Sequence, residues 1–165
     1  SKEAEVMADL IQFSKNIRRR GRQVENSAAE LVRSMAKRTL RSLVQNTKVD
    51  TGKARSNWRV GIGAPTTAVI DAYAPHAKGS KGTGRGTSET ANANATIAAG
   101  NARINAVKGV SGVGLKTAII ISNNVPYLDK ALLPGAVEVS IREAQAVLRG
   151  FKIFSNSGGS DGGDI

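Results

Sequence analysis

A chain of 165 residues can bury one core, but with only six aromatic residues that core has to be aliphatic. The lack of cysteine and the single histidine, His76, exclude disulfides, thiolate metal sites and most histidine-based triad or metal chemistry. Of the net charge of +11, +8 lies in residues 1–59, so nucleic acid or an acidic protein surface has to be weighed against a merely solvated helix face.

No apolar run approaches the ~20 residues of a membrane span, and the polar, acidic first residues do not read as a secretory signal. Residues 3–19 carry Val6, Leu10, Ile11, Phe13 and Ile17 in a one-sided stripe, which predicts a helix. The run Arg18-Arg19-Arg20-Gly21-Arg22 predicts its end or a bend, because arginine suits a helix C-terminus and glycine a stop. From about 23 to 46, Val24, Ala28, Leu31, Val32, Met35, Leu40 and Leu43 recur every three or four residues. Arg33, Lys37, Arg38 and Arg41 fall mainly on the other face, so this is an amphipathic helix expected to lie against a sheet.

Next comes Val49-Asp50-Thr51-Gly52-Lys53-Ala54-Arg55-Ser56-Asn57-Trp58. Asp-Thr-Gly is the signature of an aspartic protease, whose chemistry needs two carboxylates sharing one proton. Polar residues from Gln45 to Lys48 precede it, Lys53 follows the Gly, and no second Asp-Thr/Ser-Gly exists, so a partner Asp could come only from a homodimer. The plainer reading is a turn: Asp50 or Thr51 bonds local backbone and Gly52 takes a conformation other residues avoid. Trp58, Val60 and Ile62 alternate with Arg59 and Gly61, predicting a strand with one buried face, and Gly63-Ala64-Pro65 breaks it. Val69 and Ile70 suggest a second short strand.

Residues 78–90, KGSKGTGRGTSET, read as a flexible Gly-rich insertion. A phosphate loop is the other possibility for glycine-rich sequence, and the nearest miss is Gly109 to Thr117. There Leu115 is one residue too many, and Ile119-Ile120-Ile121 predicts a strand where a phosphate loop needs a helix N-terminus. Residues 88–107 predict a helix capped by Ser88, with Ala93, Ile97, Ile104 and Val107 on one side, weakened by Gly100 and several Asn. Residues 109–114 read as a turn and Thr117 to Ser122 as a central strand. Asn123-Asn124-Val125-Pro126 ends that strand and Tyr127 follows. A last helix is expected from about Gly135 to Arg149, with Val137, Ile141, Ala144 and Leu148 on its apolar side. The order predicts one α+β domain over 1–154, a small, mainly antiparallel sheet on a long helix, and a polar tail at 155–165 with little to bury.

A long basic helix, then Asp50-Thr51-Gly52 with Arg55 and Trp58, then a strand ending Asn123-Asn124-Val125-Pro126-Tyr127, resembles the minor tail component or tail-completion family of tailed bacteriophages. The resemblance spans roughly residues 23–149, and the two motifs in this order are fairly specific. One departure follows the Tyr: related sequences often continue Ala/Ile-x-x-Leu-Glu-x-Gly, whereas this chain reads Leu128-Asp129-Lys130-Ala131-Leu132-Leu133-Pro134-Gly135.

The resemblance implies an α+β subunit of a homo-oligomeric ring, often a hexamer, in the neck between connector and tail. Its partners would be portal, connector or adaptor proteins on one side and tail proteins on the other, its place the virion after assembly in the host cytoplasm. It implies no catalysis and no cofactor or metal, and the residues offer no acid–base pair, metal cluster or activated nucleophile. Trp58 is expected in the core, with an interface anchor as the alternative, and Tyr127 at either place. Asn123 and Asn124 are expected to close a turn. Arg18, Arg19, Arg20, Arg22, Arg33, Lys37, Arg38 and Arg41 are the candidates for weak DNA contact. The competing reading is a basic protein that binds nucleic acid without sequence preference. One Phe and one Trp in the basic third are too few for a stacking platform.

Overall fold

The computed structural model describes residues 1–75, 87–110, 114–115 and 117–150. His76, most of the insertion at 78–90 and the tail at 155–165 lie outside the described residues.

The expected break at Gly21 is absent. Helix α1 runs unbroken from Lys2 to Gln45, 44 residues, or about 66 Å at 1.5 Å per residue. One glycine costs a helix only about 1 kcal/mol relative to alanine, and the arginines around Gly21 are strong helix formers. At the start, the Ser1 hydroxyl accepts from the Ala4 N–H (3.4 Å), and Glu3 and Glu5 suit the positive end of the dipole.

After α1, Gly52 (φ +82°) caps a one-turn helix α2, Lys53–Ser56. Strand β1, Arg59–Ile62, follows, then helix α3, Thr87–Ala106. Short strands β2, Gly109–Val110, and β3, Gly114–Leu115, pair antiparallel, where a turn was expected. Strand β4, Ile119–Ser122, pairs antiparallel with β1, with Val60 opposite Ile121 and Ile62 opposite Ile119. Helix α4, Leu128–Ala131, leads into helix α5, Ala136–Gly150. The fold class is α+β, with α5, α3 and both ribbons in contact with α1.

Two strand expectations are corrected. Residues 69–70 form no strand; instead the Asn57 amide donates to the Ile70 carbonyl (2.8 Å) and accepts from its N–H (2.7 Å), doing with one side chain what a ladder would do. And β4 is not central, because among the described residues its sheet has two strands. Ile120 is half-buried. The chain after β1 folds back so closely that a Cβ on Gly61, opposite Ile120, would meet the Ala64 carbonyl oxygen at 2.0 Å.

The core is aliphatic around one aromatic: Leu40, Leu43 and Val44 from α1, Trp58 and Val60, and Ile104 from α3. Val60, Ile62, Ile119 and Ile121 present one face of the sheet to it. Gly100 lets α3 approach α1: a Cβ there would meet Leu40 Cδ2 at 2.2 Å and Val60 Cγ2 at 3.1 Å. Because Leu40 and Val60 are buried and cannot swing away, Gly100→Val should destabilise the fold by about 1–3 kcal/mol, the usual cost of overpacking. A lowered denaturant midpoint would register it, and an unchanged midpoint would mean the helices are not in close contact at this point.

Candidate functional site

The two motifs, about seventy residues apart in sequence, meet on one side of the molecule. A cleft of ≈ 490 Å³ has Lys48, Asp50, Thr51 and Gly52 on one wall and Tyr127 and Lys130 on the other. Tyr127 precedes α4, is 40% exposed and faces this opening. Asp50 is exposed and is the one carboxylate in the lining; a proton-sharing acid pair would need a second.

Beneath the cleft the same segments form a polar joint, organised by Thr47. Its hydroxyl donates to the Leu43 carbonyl (2.7 Å) and accepts from the Trp58 indole N–H (2.8 Å). Its own carbonyl accepts from the Arg55 guanidinium (2.7 Å), which is buried with it. On either side, Lys48 N–H donates to the Ala131 carbonyl (2.7 Å) and Leu133 N–H to the Asn46 carbonyl (2.9 Å), making a one-residue bridge between Thr47 and Leu132. Carbonyls just beyond the end of a helix, where orphan acceptors collect, are thus supplied with donors from α2 and the α4 region.

Asn92 ties the other side of α2. Its amide oxygen accepts from the Ser56 hydroxyl (3.0 Å) and the Ala74 N–H (2.7 Å), while its NH2 donates to the Ala74 carbonyl (2.7 Å). This explains Gly52 beyond its positive φ, since a Cβ there would lie 2.3 Å from the Asn92 amide nitrogen. Thr51 makes only a long local contact, accepting from Lys53 N–H at 3.4 Å. Asn123 closes a turn by accepting from Val125 N–H (3.2 Å) and reaches across to the Ala54 carbonyl (2.8 Å). Asn124 is exposed and donates to the Thr66 carbonyl, and Pro126 is exposed.

Trp58 is 6% exposed, inside the core cluster. Thr47, Asn57 and Asn92 were missed in the sequence. The only available signal was their position, a Thr closing a long helix and Asn residues flanking elements, where short polar side chains bond backbone.

The basic candidates separate into two groups. Arg33 turns inward, contrary to the expected outer face, and donates through Nε to the Val107 carbonyl (3.0 Å) at the C-terminal end of α3, where a cation suits the dipole. Arg38 pairs with Glu143 of α5 (2.6 Å). Lys37 is half-buried, whereas Arg18, Arg19, Arg20, Arg22 and Arg41 are exposed. Among the described residues no group of three or more His, Cys, Asp or Glu could hold a metal ion, and no helix is long and apolar enough to cross a membrane.

The segment that builds this arrangement, a long helix, a Gly-capped turn and a buried Trp directly before a strand, is matched by a family model over residues 11–101, more than half of the chain. That family is described as "Bacteriophage HK97-gp10, putative tail-component". The chain belongs to this family of bacteriophage tail components. No curated protein and no solved structure matches the chain. The family match begins earlier in α1 than the resemblance read from the motifs, and it ends before Asn123-Asn124-Val125-Pro126-Tyr127. In this family member the first motif lies at a joint inside the subunit, with the second packed against it.

The joint yields a mutational test. Trp58→Ala should cost ~3–5 kcal/mol. Thr47→Val, which leaves the buried indole N–H without its acceptor, should cost about 1–3 kcal/mol. The double variant should cost less than the sum, since both substitutions break the same hydrogen bond. Denaturant melts of the four proteins measure this; strict additivity would show that the Thr47–Trp58 bond contributes nothing.

Proposed function

We propose that this tail component is a structural, non-enzymatic virion protein that forms a homo-oligomeric ring, of hexamer size, in the neck joining head to tail around the DNA exit path. The ring's upper face would meet the portal, connector or adaptor, and its lower face the tail. The observation that carries the reading is the N-terminal part of α1. Residues 2–20 are exposed, except half-buried Asn16, along about 28 Å of helix with no described neighbour in the chain. Four large apolar residues lie on one side of it: Val6, Leu10, Phe13 and Ile17, 57, 57, 62 and 53% exposed. An isolated helix of this length is marginal in water, and its stability has to come from packing. A subunit built to be completed by others accounts for such an arm.

A second role is favoured by the exposed Arg18, Arg19, Arg20, Arg22 and Arg41. They give the ring a weak attraction for phosphates, compatible with DNA that must slide. DNA binding should therefore be independent of sequence, micromolar or weaker at physiological salt, and should fall steeply as salt rises. Competition between unrelated duplexes reads it, and a clear preference for one sequence would contradict it.

The assembly reading is tested in the virus. An amber mutation in this reading frame, in a non-suppressing host, should leave capsid assembly and DNA packaging intact and yield filled or leaking heads without functional tails in electron micrographs. Infectious particles at normal yield would refute the role, and empty, unpackaged shells would move it to an earlier step.

A further inference from the structure

Helix α5 packs on α1 through small residues: Ala136, Ser140 and Ala144 are buried, and Glu143 of the same row pairs with Arg38. Of the four residues expected on its apolar side, only Ala144 is buried, and the three larger ones point elsewhere. Val137, Ile141 and Leu148 are 47, 50 and 51% exposed. They have a spacing of 4 and 7 residues, and the arm's Val6, Leu10 and Ile17 have the same spacing, with Phe13 between the last two. Two stripes of matching spacing, each about 16 Å long, have the form of the two halves of a helix–helix seam.

The stripes cannot meet within one subunit while α1 is straight. The stretch of α1 that α5 touches includes Arg38, and Ile17 is about 30 Å away along the same helix. Charge also specifies a direction. With the helices antiparallel, Arg20 comes to Glu138, and Glu3 and Asp9 come to Arg149, all exposed. With the helices parallel, Arg20 would face Arg149 and Glu3 would face Glu138, which is repulsive at both ends.

We infer that the arm of one subunit, through Val6, Leu10, Phe13 and Ile17, docks antiparallel on the Val137–Ile141–Leu148 stripe of α5 in a second copy of this chain. The inference rests on the self-assembly reading above and adds which surfaces meet. Each subunit gives an arm and receives one. Repeated in one sense around an axis this contact closes a ring, and made reciprocally it closes a dimer.

The absence of native cysteine makes the contact directly testable. Full-length protein carrying Val6→Cys with Leu148→Cys, oxidised at a concentration where the parent sediments as an oligomer, should give a ladder of disulfide-linked chains. Val6→Cys with Val137→Cys, the parallel register, should give at least tenfold less. Leu10→Asp with Phe13→Asp should convert the oligomer to monomer while shifting Tm by no more than a few degrees, because both side chains are already exposed. Arg20→Glu and Glu138→Arg should each weaken assembly, and the two together should restore it, which damage to the fold would not do.

A disulfide formed within single chains would overturn the proposal, because the arm would then fold onto its own subunit. A parent protein that stays monomeric at all concentrations would also overturn it. So would an oligomer that survives Leu10→Asp with Phe13→Asp and gives no ladder, although that result leaves the ring itself standing. Linked dimers with no larger assembly would uphold the docking and remove the ring.

Discussion

Thr47 is where the long helix is fastened to the rest of the subunit. Its hydroxyl takes the indole N–H of Trp58 while donating to the last turn of α1, and its carbonyl takes the Arg55 guanidinium. All of these groups are buried, so a lost partner would leave a polar group stranded away from water, which costs more than a typical hydrogen bond contributes. The constraint propagates outward. Trp58 directly precedes β1, so fixing its indole fixes where the sheet begins. Arg55 sits on α2, so its contact sets the exit angle from the Gly52 turn. Asn46 and Lys48, on either side of Thr47, hold the backbone of 131–133 and with it the approach to α5.

Asp50, Thr51 and Gly52 thus belong to a joint. Gly52 is required twice, by its positive φ and by the closeness of Asn92, and Thr51 contributes little. The residues that bind the joint together stand to either side of the motif.

Much of the fold was legible because its signals are local. The period of α1 from Ala28 to Leu43, the alternation at Val60 and Ile62, and Ile97 and Ile104 on α3 all point to elements that exist. Gly21 misled because a single glycine is a weak penalty against strong helix formers on both sides. Asn57 and Asn92 were invisible because their partners are backbone groups of Ile70 and Ala74, 13 and 18 residues away. The most informative misreading is α5. Periodicity put Val137, Ile141, Ala144 and Leu148 on one side, but only Ala144 of these is buried, beside Ala136 and Ser140, and the three larger residues are exposed. A hydrophobic period says that a face will be buried; it does not say in which molecule.

This distinction separates the subunit into an internal half and an external half, and amide hydrogen exchange measures it directly. The measurement compares the dilute subunit with the protein inside purified particles. Residues 43–58 should be strongly protected in both, because the joint is internal to the chain. Residues 2–20 should exchange rapidly in the dilute subunit and become protected only in the particle, with slowing also at 137–148. Equal protection of residues 2–20 in the two states, or loss of protection at 43–58 on dilution, would contradict the account.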